Sequence, residues 1–117
     1  MLSSDVLRGH LEAILLALIC GDDRYGYELF SEIGKRTQGR LEIKEATLYA
    51  VLQRLERRGC IESYRGDVSG GGKRRYYHTT PDGRRALQQE IAAWRETKAI
   101  IDIFMEPKGM AAQTQSF

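Results

Sequence analysis

The chain has 117 residues, 42% hydrophobic and 29% charged, which fits one soluble globular domain better than a disordered polymer. Its net charge of +2 hides a division: Lys35 to Arg85 holds thirteen Lys/Arg against six Asp/Glu, a local balance of +7 between acidic flanks. A basic centre suits a polyanion, and the absence of an apolar run of ~18 residues or of a cationic leader predicts a cytoplasmic protein with no membrane partner.

Leu7, Leu11, Ile14, Leu15 and Leu18 share one helical face. Val6, Ala13, Leu16, Ala17 and Ile19 widen it, so this first helix packs against more than one neighbour. Gly21-Asp22-Asp23 ends it, and an Asp there is the expected N-cap of a second helix over Gly26 to Thr37. Leu29, Phe30 and Ile33 form that helix's core stripe. A turn at Thr37 to Arg40 and an extended Leu41-Glu42-Ile43 lead to a third helix over Glu45 to Arg58. Its buried stripe is Leu48, Val51, Leu52 and Leu55, and Gly59 suits the left-handed position past its end. Ile61 to Tyr64 reads as a strand, Gly66 to Gly72 as a Gly-rich turn and Arg74 to Thr79 as a second strand. Thr80-Pro81 starts a last helix running to Met105. The predicted fold is mostly α with a small β-wing: a winged helix-turn-helix over 1–79, a dimerisation helix over 80–106 and a disordered tail over 107–117.

On the third helix Thr47, Ala50, Arg54 and Arg57 lie opposite the leucine stripe. Small residues there let a backbone enter a groove closely, and arginines further along reach phosphates or base edges. The bland alternative is an ordinary solvated face. Lys73, Arg74 and Arg75 follow the glycines, and three adjacent cations gain little from one another, so a phosphate partner relieves their repulsion. Their rival role is charged protection of a sheet edge.

On the last helix Leu87, Ile91, Trp94, Lys98, Ile101 and Met105 are spaced four, three, four, three, four. That 3.5-residue period favours a seam between two copies of the chain. Gly9, Ala13 and Ala17 offer small walls on the first helix, where Trp94 and Ile91 could frame a cavity for a planar aromatic ligand. Glu12 and Lys98 would set its charge preference; as an alternative, Trp94 is simply an interface anchor. Cys20 and Cys60 lack CxxC spacing and read as reduced thiols. His10 and His78 have no second ligand at metal spacing. No nucleophile–base or paired-carboxylate arrangement stands out, so neither an enzyme nor a cofactor is expected.

Tyr25-Gly-Tyr27-Glu-Leu29, Glu45-Ala-Thr-Leu-Tyr49, Leu52-Gln-Arg-Leu-Glu56, Gly59-Cys-Ile61, Gly71-Gly-Lys-Arg-Arg-Tyr-Tyr77 and Thr79-Thr-Pro-Asp-Gly83 occur in this order. Together they resemble the PadR-type transcriptional regulators, particularly the short subfamily with one C-terminal helix. The resemblance implies a homodimer that binds a pseudo-palindromic duplex and represses a nearby transport or detoxification gene. It implies DNA contacts from Tyr25, Lys44, Ala46, Thr47, Tyr49, Ala50, Arg54, Lys73, Arg74 and Arg75. It implies an interface built by the first and last helices, through Leu7, Leu11, Leu87, Ile91, Trp94, Ile101 and Met105. In the multidrug branch a Trp matching Trp94 lines a flat pore between subunits, and a small molecule releases the DNA. Lys98 stands where that branch carries an acid, which argues against a preference for cationic drugs. A winged helix that binds an acidic protein, with no ligand sensing, is the rival reading.

Overall fold

The computed structural model describes residues 2–3, 7–67 and 72–105. Its helices are α1 (Leu11–Gly21), α2 (Gly26–Thr37), α3 (Glu45–Arg57) and α4 (Pro81–Met105). Its strands are β1 (Leu2–Ser3), β2 (Arg24–Tyr25), β3 (Leu41–Glu42), β4 (Ile61–Asp67) and β5 (Lys73–Thr79). The fold is mostly helical, with a three-stranded antiparallel sheet in the order β2-β5-β4. The predicted tail at 107–117 and most of the Gly-rich turn lie outside the described residues.

Three leucine-rich stripes make the core. Leu15, Leu16 and Ile19 of α1 meet Leu29 and Ile33 of α2 and Leu48, Val51, Leu52 and Leu55 of α3, all essentially buried. Burying one such side chain contributes about 1.5–3 kcal/mol before entropy is charged against it. These stripes fix the angle at which α3 turns its opposite face outward.

Several boundaries differ from expectation. The first helix was expected to include Leu7 and Gly9, but Arg8–His10 forms a 3₁₀ turn and α1 begins at Leu11. Glycine resists an α-helical turn, and no side chain caps the start of α1. Neither Asp22 nor Asp23 caps α2. Tyr25 occupies the N-cap, and the Glu28 carboxylate accepts its N–H at 3.2 Å. The short β1 pairs in parallel with β3, Leu2 opposite Leu41, a contact no local pattern announced. Strand β2 is equally short and adds an edge to the wing through Tyr25 opposite Tyr76. β4 runs past Tyr64 to Asp67, because its pairing with β5 continues in register from Ile61–Thr79 to Asp67–Lys73.

The ends of α3 and α4 are set by the residues the sequence offered. Gly59 has φ +74°, donates its N–H to Glu56 O, and lets Cys60 donate to Leu55 O. That pair of bonds is a Schellman cap. Thr80 caps α4: its Oγ1 accepts the Gly83 N–H at 3.0 Å and donates to Gly59 O at 2.6 Å. The chain divides into two compact units, Met1–Leu87 and Gln88–Phe117.

Candidate nucleic-acid interface

With its leucines turned inward, α3 presents Ala46, Tyr49, Ala50, Arg54 and Arg57 to solvent, with Thr47 half-buried. Lys44 is the N-cap residue and offers no side-chain cap; its carbonyl accepts the Leu48 N–H at 2.9 Å. Its ammonium therefore stays on the exposed surface at the start of α3.

Two grooves flank this face. The first, about 460 Å³, lies between the N-terminus of α2, the middle of α3 and strand β5. Tyr25, Gly26, Tyr27, Tyr49, Arg74, Arg75 and Tyr77 line it, bringing together four of the residues proposed from sequence. Gly26 is what lets Tyr49 lie there: a Cβ on Gly26 would stand 2.1 Å from the Tyr49 hydroxyl. The second groove, about 350 Å³, is lined by Arg8, Leu11, Ala46, Thr47, Ala50, Val51 and Arg54. It gathers the small residues of α3 with two guanidinium-bearing side chains. Arg8 entered no sequence pattern, since only the 3₁₀ turn carries it to this place. Lys73 lines neither groove; its ammonium pairs with Asp67 directly across the hairpin.

The wing root is an aromatic cluster. The Tyr64 and Tyr76 rings stack with centroids 5.7 Å apart, and Tyr25 meets Tyr76 edge-on at 5.4 Å. The Arg74 guanidinium carbon lies 4.2 Å from the Tyr25 ring centroid, a cation–π contact. Strand alternation then puts Arg75 on the opposite face, beside the buried Tyr77. Burial pushes the Tyr77 phenol up, opposed by the nearby Arg75.

Asp23 ties this root to the loop ahead of α2. It accepts from the Tyr64 hydroxyl at 2.6 Å and lies 2.7 Å from His78 Nδ1. Partial burial raises the Asp23 carboxyl, but the bonds to Tyr64 and His78 and the pull of His78 outweigh it, and the net shift is downward. The same bond pushes the Tyr64 phenol up to about 12. Sequence spacing could not show this triad, because its members lie 41 and 55 positions apart.

Residues expected at a ligand site fare differently. Glu12 does not stand open to a ligand: its carboxylate bonds the Arg58 guanidinium and lies 3.7 Å from Arg54 Nε. Gly9 is exposed in the 3₁₀ turn, Ala13 is half-buried, and exposed Ala17 lines an apolar groove of about 580 Å³ with Leu7, Ile14, Leu18, Ile33 and Leu41. Leu11 and Leu87 are buried in the first unit, 3% and 9% exposed. In the second unit Trp94 is 49% exposed, Ile91 is half-buried, and Lys98 pairs with Asp102 at 2.7 Å. Ile101 and Met105 are exposed. Among the described residues no His/Cys/Asp/Glu group could hold a metal, and no helix is long and apolar enough to cross a membrane.

A helix that offers small residues and arginine, set beside a basic two-stranded hairpin, defines a winged helix-turn-helix of the DNA-binding regulator class. The comparisons agree with that class. The chain matches the transcriptional regulator PadR-like family over residues 15–89, and it belongs to that family. It is 56% identical over 106 residues to an uncharacterised protein of Lysinibacillus sphaericus, covering 91% of this chain and 97% of that one. A transcriptional regulator from Clostridium thermocellum superposes with a TM-score of 0.82 at 40% identity, covering 91% of this chain and all of the other. A PadR-like transcriptional regulator from Bacillus cereus gives 0.77 at 29% identity, covering 88% and 98%. The family is one of DNA-binding regulators, not of enzymes.

Proposed function

We propose that the protein is a homodimeric repressor that binds a pseudo-palindromic operator near a transport or detoxification gene in the cytoplasm. The observation that carries this reading is the juxtaposition of Tyr49, on the exposed face of α3, with Arg74 and Arg75 along one groove. In it α3 enters the major groove, and Ala46, Thr47 and Ala50 permit close approach to base edges. Lys44, Arg54 and the wing arginines hold phosphates and set register. Dimerisation supports the two-fold operator. The apolar side chains of α4 beyond Trp94 stand exposed in one protomer, including Ile101, Ile103, Phe104 and Met105, and a second copy is the partner that covers them. Footprinting tests the reading: two protected half-sites should lie about one helical turn, ~34–36 Å, apart or a multiple of it. Full-affinity protection of a single unsymmetrical half-site by a monomer would overturn it.

Trp94 is the aromatic plate for an effector in this reading. Glu12 is committed to two arginines and Lys98 to Asp102, so neither is spare to select ligand charge, and a neutral planar aromatic is the best-supported class. Titrating planar dyes while following Trp94 fluorescence tests this. Absence of quenching at micromolar dye, with Trp94→Ala dissociating the dimer, would make Trp94 an interface anchor only.

A further inference from the structure

The geometry points to Glu12 as a positioning residue for DNA recognition, one that holds Arg54 back from indiscriminate phosphate binding and so raises discrimination between operator and other DNA. The inference rests on the DNA-binding reading above. Arg54 in the last turn of α3 and Arg58 at its C-cap sit one turn apart, and like charges at that spacing repel. A single carboxylate from α1 answers both: Glu12 Oε1 accepts from Arg58 Nη1, and Oε2 lies 3.7 Å from Arg54 Nε. All three side chains are partly open to solvent, at 30% for Glu12, 46% for Arg54 and 51% for Arg58. Pairs this exposed contribute only ~0–1 kcal/mol to stability. Holding the fold together is therefore a weak reason for the fork.

Its effect on DNA binding is larger. Arg54 lines the same groove as Ala46, Thr47 and Ala50, the small face of α3. A phosphate approaching that face competes with Glu12 for Arg54. Non-specific complexes are held almost entirely by phosphate contacts, whereas an operator complex adds base contacts from a fixed α3. Removing the competing carboxylate then favours the non-specific complex more. Each recruited phosphate contact steepens the log–log salt dependence by about 0.9.

Glu12→Gln keeps the size and removes the charge. Glu12→Ser removes the same charge differently, so agreement of the two separates charge from packing. Affinity of the full-length dimer for operator and for scrambled duplex is measured from 50 to 200 mM salt, beside thermal unfolding. Both variants should bind scrambled DNA more tightly at low salt, with a slope steeper by about 0.9. Their advantage over the parent should then shrink about 3.5-fold across that salt range. Operator discrimination should fall, and the gain should vanish in an Arg54→Ala background. An unchanged slope in folded variants, or a gain that persists without Arg54, overturns the role given to Glu12 while leaving the DNA reading intact. A parent protein that binds neither duplex overturns the DNA reading, and this inference with it.

Discussion

Two glycines show how the same substitution has different consequences at different positions. A Cβ on Gly83 would lie 2.0 Å from the backbone carbonyl oxygen of Cys60 and 2.8 Å from Thr79 Cγ2. The carbonyl lies just ahead of β4 and accepts the Thr80 N–H at 3.0 Å, so it cannot move without breaking that bond. On Gly26 the clash is closer to a side-chain tip, the hydroxyl of Tyr49, itself 41% exposed. That ring can swing away. Gly83→Ala should therefore cost about 2–3 kcal/mol, the upper part of the overpacking range, and Gly26→Ala about 1 kcal/mol or less. Urea unfolding at one fixed protein concentration checks the order, since the midpoint of the proposed dimer depends on concentration. DNA affinity should invert that order. Gly26→Ala displaces Tyr49 from the groove it shares with Arg74 and Arg75, while Gly83 lies in the first turn of α4, outside either groove. Equal stability losses for the two would mean that Tyr49 is held as firmly as the backbone.

The wing is attached through elements far apart in sequence, and its attachment carries a pH signature. Asp23 is lowered below its ordinary value of 3.8, so its contribution is complete above that value and is lost as pH falls through the lower folded value. Tyr64 is raised from 10.0 to about 12, so its share is complete below pH 10 and is lost between there and about 12. Tyr64→Phe should remove that alkaline loss, and Asp23→Asn should remove both the alkaline and the acid contributions. Unfolding midpoints against pH measure both, and an unchanged alkaline limb in Tyr64→Phe would discard the link. Hairpin and recognition helix should also separate in binding. Arg75→Ala should weaken all duplexes and flatten the salt slope by about 0.9, while substitution of Thr47 should change preference among operators. Equal loss of discrimination from both would show the division to be wrong. What was legible in the sequence follows the range of the interaction. The α2 and α4 bounds, the leucine stripes, Gly59 and Thr80 rest on periodicity and caps within a few residues, and they were readable. β1, β2, the Asp23–Tyr64–His78 triad and the fork on Glu12 depend on partners tens of residues away. Glu12 illustrates the difference: helical spacing placed it beside Ala13 and Ala17, but only the packing of α1 on α3 pairs it with Arg54 and Arg58.

At the scale of the whole molecule, the first unit buries the leucine stripes of α1, α2 and α3, and the most exposed run of apolar side chains is on α4. Ile103, Phe104 and Met105 are 75%, 74% and 72% exposed, with Ile100 and Ile101 about half exposed. A run of that kind on one short stretch of helix is seldom left in water by a monomer. Covering it with a second copy gives the two-fold arrangement a palindrome requires. Linking two half-site binders also converts the second binding event into an intramolecular one, which can raise overall affinity by 10²–10⁴ without a new contact. Placing charge on this apolar stretch should break this. Ile101→Asp combined with Phe104→Asp introduces two carboxylates that a dimer would have to bury unpaired. Both positions lie in the second unit, so the core of the first should remain folded. Sedimentation should report a particle of 13.3 kDa in place of one twice as heavy. The far-ultraviolet spectrum of the first unit's helices should persist. Affinity for a full palindrome should fall toward that for a single half-site, with little change at the half-site itself. If the double variant still sediments as a dimer, the interface lies elsewhere, and the open groove beside Leu7, Ile14 and Ala17 becomes the surface to mutate next.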